Sequence, residues 1–256
     1  MKRGRAKKLA GFIGCPPEEV IGRYRDYELV DLDNRRSGVS LDTARELLPD
    51  NTCSIIKRIL ANTIALQPEV IVFDDGYSKC DNARFLGEVI GHHLPQVKLV
   101  HTQNDSTRPA GTAICDSTLP LADKVGLILD DIVSPVDKSG LIHCEEAPAA
   151  FWGVPCADEA VYELFPAGTQ ALGWIRCFEN RTPADLELEC WVPEGRPTVF
   201  FAQTFCSKNI LAKHLAKKHN GLYVDSDGVL SRSERAKIEA FLYFRMRKNK
   251  SHSSII

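Results

Sequence analysis

Apolar and polar positions along this chain switch repeatedly between a period of two and a period near 3.6. "YELVDLD" (27–33), "PEVIVFDD" (68–75) and "QVKLVHTQ" (96–103) are runs of strand length. The second is apolar throughout its middle, the pattern of a parallel strand buried on both faces. "KVGLILDDIV" (124–133), "GLIHCE" (140–145), "ALGWIRCFE" (171–179), "PTVFFAQTF" (197–205) and "GLYVDSD" (221–227) extend the series as further predicted strands. Helical spacing lies between them. Pro16 and Pro17 with Glu18 and Glu19 open a short helix. Asn51 or Thr52 caps a second that runs to about Leu66 and carries Cys53, Ile56, Ile59, Leu60 and Ile64 on one face. A third runs from Asp81 to Leu94, stopped by Pro95. Others fall near 158–165, at 183–191 behind Thr182, Pro183 and Asp185, at 207–219, and at 231–247 with Ile238, Phe241 and Leu242 inward.

Strand and helix alternate throughout, so the expected class is α/β, two Rossmann-like halves with mainly parallel sheets and flanking helices. "DDIVSPVDKSG" marks the expected boundary, giving an N-terminal α/β half at 1–133 and a C-terminal α/β half at 141–256. The 256 residues suffice for such cores.

Composition changes the picture in one place. With 44% hydrophobic and 26% charged residues and a net charge of −2, nothing favours nucleic acid or a membrane surface. The basic tip (Lys2, Arg3, Arg5, Lys7, Lys8) and the basic far end (Arg245, Arg247, Lys248, Lys250) read as solvated termini. No apolar run reaches the length of a spanning helix, and "LAGFIG" is too short for a signal peptide, so a cytoplasmic protein is expected. Nine cysteines then stand out, an odd count in a reducing compartment.

Cys80, Cys144, Cys177 and Cys206 follow or close predicted strands, and Cys53 sits in the first turn of a predicted helix. Ligands of open parallel sheets gather at such corners, where unpaired amides favour the thiolate that soft metals take. Cys15, Cys115, Cys156 and Cys190 read instead as small buried hydrophobes. No CxxC pair or His-x3-His spacing suggests zinc, and no glycine-rich phosphate loop suggests a nucleotide. His92 and His93 read as a solvated helix end, His101 and His143 as buried structural histidines. Asp74, Asp75, Asp81, Arg176 and Lys208 are candidates to surround a site, and "AFWGVP" (150–155) reads as a loop anchored by Trp152.

A longer pattern joins these corners. Cys53-Ser54 with Lys57 opens a helix, a strand follows, and Cys80-Asp81 heads the next helix. Phe205-Cys206 follows a late strand, "GTQALGWIRCFEN" brings Cys177 to the end of another, and "RAKIEAFLYF" closes the chain. In residues 53–105 and 171–245 the chain resembles the family of 2-hydroxyacyl-CoA dehydratases and benzoyl-CoA reductases, which includes double-cubane-cluster reductases, as a short divergent member. That resemblance implies a [4Fe–4S] cluster, or a double-cubane cluster, held by Cys53, Cys80 and Cys206, with Cys177 as a further possible ligand and one iron left open. It also implies low-potential reductase or dehydratase-like chemistry, two halves sheltering the cluster, a homodimer or related second subunit, and an ATP-dependent activator protein as electron donor. Two alternatives stay open on the residues alone: a metal-free thiol enzyme with Cys206 or Cys177 as nucleophile, and a non-catalytic metal-binding module.

Overall fold

The computed structural model describes residues 8–76, 79–106, 109–156, 158–182, 185–226 and 229–253, the last six without their side chains. The chain divides into two compact units. The first is Met1–Arg108 with Leu129–Val136, and the second is Pro109–Ile128 with Asp137–Ile256.

In the first unit β1 (Leu9–Ile13) leads to α1 (Glu18–Ile21) and β2 (Glu28–Asp31). Then come α2 (Asp42–Arg45), α3 (Ser54–Leu66), β3 (Val70–Asp74), α4 (Asp81–His93) and β4 (Lys98–Thr102). The sheet is wholly parallel, in the order β2-β1-β3-β4. The apolar stretch "LAGFI" is its central strand, with Ala10 and Phe12 fully buried. β3 is buried at every position, which is why its sequence carries no alternation. Ile13, Leu32, Ile71 and Phe73 form a core with Ile56, Ile59, Leu60, Leu86 and Ile90 from α3 and α4.

The second unit repeats the design. α5 (Leu121–Val133), whose last turn is counted in the first unit, precedes β5 (Ala150–Gly153) and β6 (Gln170–Leu172). α6 (Trp174–Glu179), α7 (Leu186–Cys190), β7 (Thr198–Ala202), α8 (Lys208–Lys218), β8 (Leu222–Asp225) and α9 (Arg232–Ser253) follow. Again all pairs are parallel, in the order β6-β5-β7-β8. The protein is therefore an α/β fold with two Rossmann-like halves. No helix among the described residues is long and apolar enough to cross a membrane.

Several elements differ from the sequence expectation. Residues 124–133 belong to a helix rather than a strand: Leu121, Val125, Ile128, Leu129 and Ile132 are buried at helical spacing. Residues 140–145 form no strand, and His143 makes one isolated bridge to Ser117. The stretch 171–179 breaks after Leu172, because Gly173 turns at φ +67 and a Cβ there would sit 2.8 Å from the Trp152 ring. α6 starts at once, so Cys177 is a helical residue, not the end of a strand. "AFWG" is buried strand β5 and not a loop. Residues 159–164 wind as a 3-10 helix. The cap of α3 is Cys53 itself rather than Asn51 or Thr52. Pro183 lies outside the described residues, and Asp185 caps α7 by accepting the Leu188 amide at 3.0 Å. Residues 1–7 and the side chains of Lys248 and Lys250 also lie outside them.

Candidate functional site

Parallel strands deliver their chain ends to one edge of a sheet, and that edge is where each unit concentrates its polar groups. In the first unit β1 ends at Gly14, whose φ of +76 aims its amide at Asp33 Oδ2, 2.6 Å away. Asp74 closes β3. It accepts the Cys15 amide at 3.2 Å and the Asn104 amide at 3.2 Å, and pairs with Lys79 at 2.9 Å. Asn62 holds the turn after β2 by donating to the carbonyls of Leu32 (2.8 Å) and Asn34 (2.9 Å).

This edge is charged yet dry. Asp31, Asp33, Arg58 and Asp74 are all buried. Burial, and next the charge of Asp33, push the Asp31 carboxyl well above the ordinary carboxylate range. Burial also raises Asp33, against the Gly14 amide and the charges of Lys79 and Arg58.

Cys53 and Cys80 flank this edge in matching conformations. Each is the N-cap of a thirteen-residue helix with extended backbone, φ −62 and ψ 151 for Cys53, φ −70 and ψ 160 for Cys80. Neither side chain makes a capping hydrogen bond, so each residue stands at the positive end of its helix with the first amides left to other partners. Cys80 is exposed and Cys53 half-buried. Lys57, one turn into α3, donates to the Asp50 carbonyl at 2.6 Å. Asp75 meets His101 Nδ1 at 2.7 Å, and both His101 and His143 are exposed rather than buried. Asp81 is exposed in the first turn of α4.

In the second unit Cys206 occupies the turn between β7 and α8, with its amide on the Gln203 carbonyl at 2.8 Å. It is half-buried, and Phe205 beside it is exposed. Cys177 has a different setting. It is buried in α6 with its thiol on the Asp185 carbonyl at 3.5 Å, and burial, then the charge of Glu189, push it up to about 12. The remaining candidates there hold the fold. Lys208 pairs with Glu189, whose carbonyl accepts Trp152 Nε1 at 2.7 Å. Arg176 pairs in bidentate fashion with Asp116 at 3.0 and 2.8 Å and lies 4.5 Å over the Trp191 ring.

None of the nine cysteines is joined in a disulfide. Cys15, Cys115 and Cys156 are buried as expected, whereas Cys190 is half-buried. The chain matches no family model and no curated protein. Among the described residues no three His, Cys, Asp or Glu side chains gather closely enough to hold a single metal ion. Cluster cysteines each bind a separate iron, so their spacing is that of a cube rather than of one ion's ligand shell. The donors suit such a group in kind: soft sulfur, exposed at Cys80 and half-buried at Cys53 and Cys206.

The groups that sequence reasoning missed are acids that act at a distance. Asp31 and Asp33 carried a signal, since two acids in alternate positions end an otherwise apolar strand. Glu179 carried none, because it binds the amides of Ile114 (2.6 Å) and Cys115 (2.8 Å) far away in the chain.

Proposed function

We propose that this chain is an iron–sulfur protein, a low-potential reductase or dehydratase-like component, with Cys53, Cys80 and Cys206 as the ligands of a [4Fe–4S]-type cluster. One observation carries the reading. Of the nine thiols, Cys53 and Cys80 alone cap long helices, at the carboxyl edge of one sheet, and Cys206 occupies the corresponding turn of the second unit. The sequence resemblance over 53–105 and 171–245 points to the same three positions. When bound, such a cluster with one iron free of protein ligands supplies low-potential electrons and a Lewis-acidic site.

The chain's own residues have definable roles in this reading. Cys53 and Cys80 stand at the N-termini of α3 and α4, where the positive end of each helix dipole would favour bonding of their sulfurs to a cationic metal centre. The exposure of Cys80 leaves an approach for an ATP-dependent activator protein, the electron donor implied, and a second subunit of the same kind would complete the shelter. Cys177 is the less favoured further ligand, since it is buried in α6 with its thiol on the Asp185 carbonyl. The alternative of a metal-free thiol enzyme keeps Cys206 or Cys177 as nucleophile, with burial pushing the Cys177 thiol up and Cys206 half-buried.

Anaerobic purification followed by iron and acid-labile sulfide assay and electron paramagnetic resonance tests the reading. The expected result is a brown protein that loses its iron and its signal in Cys53→Ala, Cys80→Ala and Cys206→Ala but keeps both in Cys190→Ser. A colourless preparation with undiminished activity would refute it.

A further inference from the structure

The first unit also contains an open cleft of 740 Å³, away from the cysteines and lined from β2, the loop after it, and the segment 130–136. Strand alternation explains its floor. Val30 and Leu32 point into the hydrophobic core, so Leu29 and Asp31 point the other way. Leu29, Leu66, Val133 and Val136 make apolar walls. The size is that of a small-molecule site.

Two polar atoms in this cleft lack partners. Asp31 is only 3% exposed, and its Oδ2 accepts no hydrogen bond, while its Oδ1 is used by the Asp33 amide at 2.7 Å. Arg36 Nε is buried and donates to nothing. A buried carboxylate oxygen and a buried guanidinium N–H each cost stability when left unpaired, and both line the same space. They are not paired with each other, so they call for a ligand with opposite charges at separate atoms. Asp130, on the rim, adds a second carboxylate, and Arg35 a second guanidinium. Three acidic or histidine groups do not converge here, so a metal ion is not the match.

We propose that this cleft binds a small zwitterion of the α-amino acid class, with its ammonium on Asp31, its carboxylate on Arg36, and an apolar side chain against Leu29 and Val133. The site is independent of any cluster. The elevated pKa of Asp31 is consistent with a carboxyl group waiting for a cation: a bound ammonium supplies the charge whose absence now disfavours ionisation.

Isothermal titration calorimetry of the full chain tests this with L-leucine, L-valine and L-phenylalanine. Leucinamide, which lacks the carboxylate, and 4-methylpentanoate, which lacks the amine, complete the set. At least one of the three amino acids binds, and for leucine the loss of either charged group weakens binding tenfold or more. Asp31→Asn weakens leucine at least tenfold and leaves 4-methylpentanoate unchanged. Arg36→Met weakens leucine and leaves leucinamide unchanged. The proposal is overturned if none of the three amino acids binds, if leucine binds no better than both single-charge analogues, or if Asp31→Asn binds leucine like the parent.

Discussion

Lys124 is fully buried, and its ammonium is surrounded by backbone rather than by acid. Nζ donates to the carbonyls of Cys115 (3.1 Å), Ser117 (2.6 Å) and Thr169 (2.7 Å), tying α5 to two loops of the second unit. Lys124→Met keeps the length of the stem and removes the three donors. Cys115 O keeps the Ala171 amide at 3.2 Å, so the loss falls on Ser117 and Thr169. Each buried carbonyl stripped of a charged donor costs about 1–3 kcal/mol. Against that, Met avoids the desolvation of the ammonium, a penalty of several kcal/mol; burial is also what pulls this lysine below its ordinary pKa. Two carbonyls stripped of a charged donor lie in the upper half of that range, about 4–6 kcal/mol together, and with about 2 kcal/mol of relieved desolvation set against them the net destabilisation is about 2–4 kcal/mol. All three tryptophans, Trp152, Trp174 and Trp191, lie in the second unit, so urea unfolding followed by tryptophan fluorescence reports on the unit that contains the change. With a slope of about 2 kcal/mol per molar urea, the midpoint falls by about 1–2 M. A midpoint that stays or rises would show that desolvation outweighs the cage and refute the reasoning.

Asp31→Asn should stabilise the first unit at neutral pH. A carboxyl whose folded pKa is raised binds more protons folded than unfolded, so its contribution is full below the unfolded value and is lost as pH rises through the folded one. The variant should remove the part of the stability lost as pH rises above the ordinary carboxylate range, and an unchanged pH profile of thermal stability would count against the assignment. Glu179→Leu should lower stability by about 2–5 kcal/mol, since two buried amides lose their acceptor, which denaturant unfolding will measure. Iodoacetamide at pH 8 with mass mapping should label exposed Cys80 first and leave Cys177 unlabelled until the protein unfolds; early labelling of Cys177 would contradict its burial.

What the sequence made legible was local. β3, β4, β7, β8 and the helices α3, α4, α8 and α9 announce themselves by period and by flanking Pro, Gly or Asp, and the two-sheet parallel class follows from their alternation. The errors cluster where the apolar signal is continuous. In 124–133 the run of Val, Leu and Ile imitates a strand, and the helical period emerges only when Leu121 is included. In 171–179 a single glycine at positive φ divides an unbroken apolar run into strand and helix, and no period detects it. The central strands β1 and β5 are buried on both faces and end at Gly14 and Gly153, so they resembled a leader-like stretch and a loop. For the candidate site, the corner cysteines were readable because helix starts are local features. The Lys124 cage and the Glu179 acceptor were not, because each joins segments brought together only by the fold.

The shared strand order puts the corner thiols of the two units into comparison. β1, β2, β3 and β4 correspond in order to β5, β6, β7 and β8. Cys80 and Cys206 then occupy one equivalent turn, after the third strand of each sheet and ahead of the following helix. Cys53 caps the helix that leads into that third strand in the first unit. Its counterpart connection in the second unit runs through α6 and α7, whose caps are Gly173 and Asp185. Neither offers sulfur. Cys177, the thiol nearest in sequence to that connection, is buried and held on the Asp185 carbonyl. Two units built on one topology thus differ in their caps: Cys53 and Cys80 cap α3 and α4, whereas Gly173, Asp185 and Ser207 cap α6, α7 and α8.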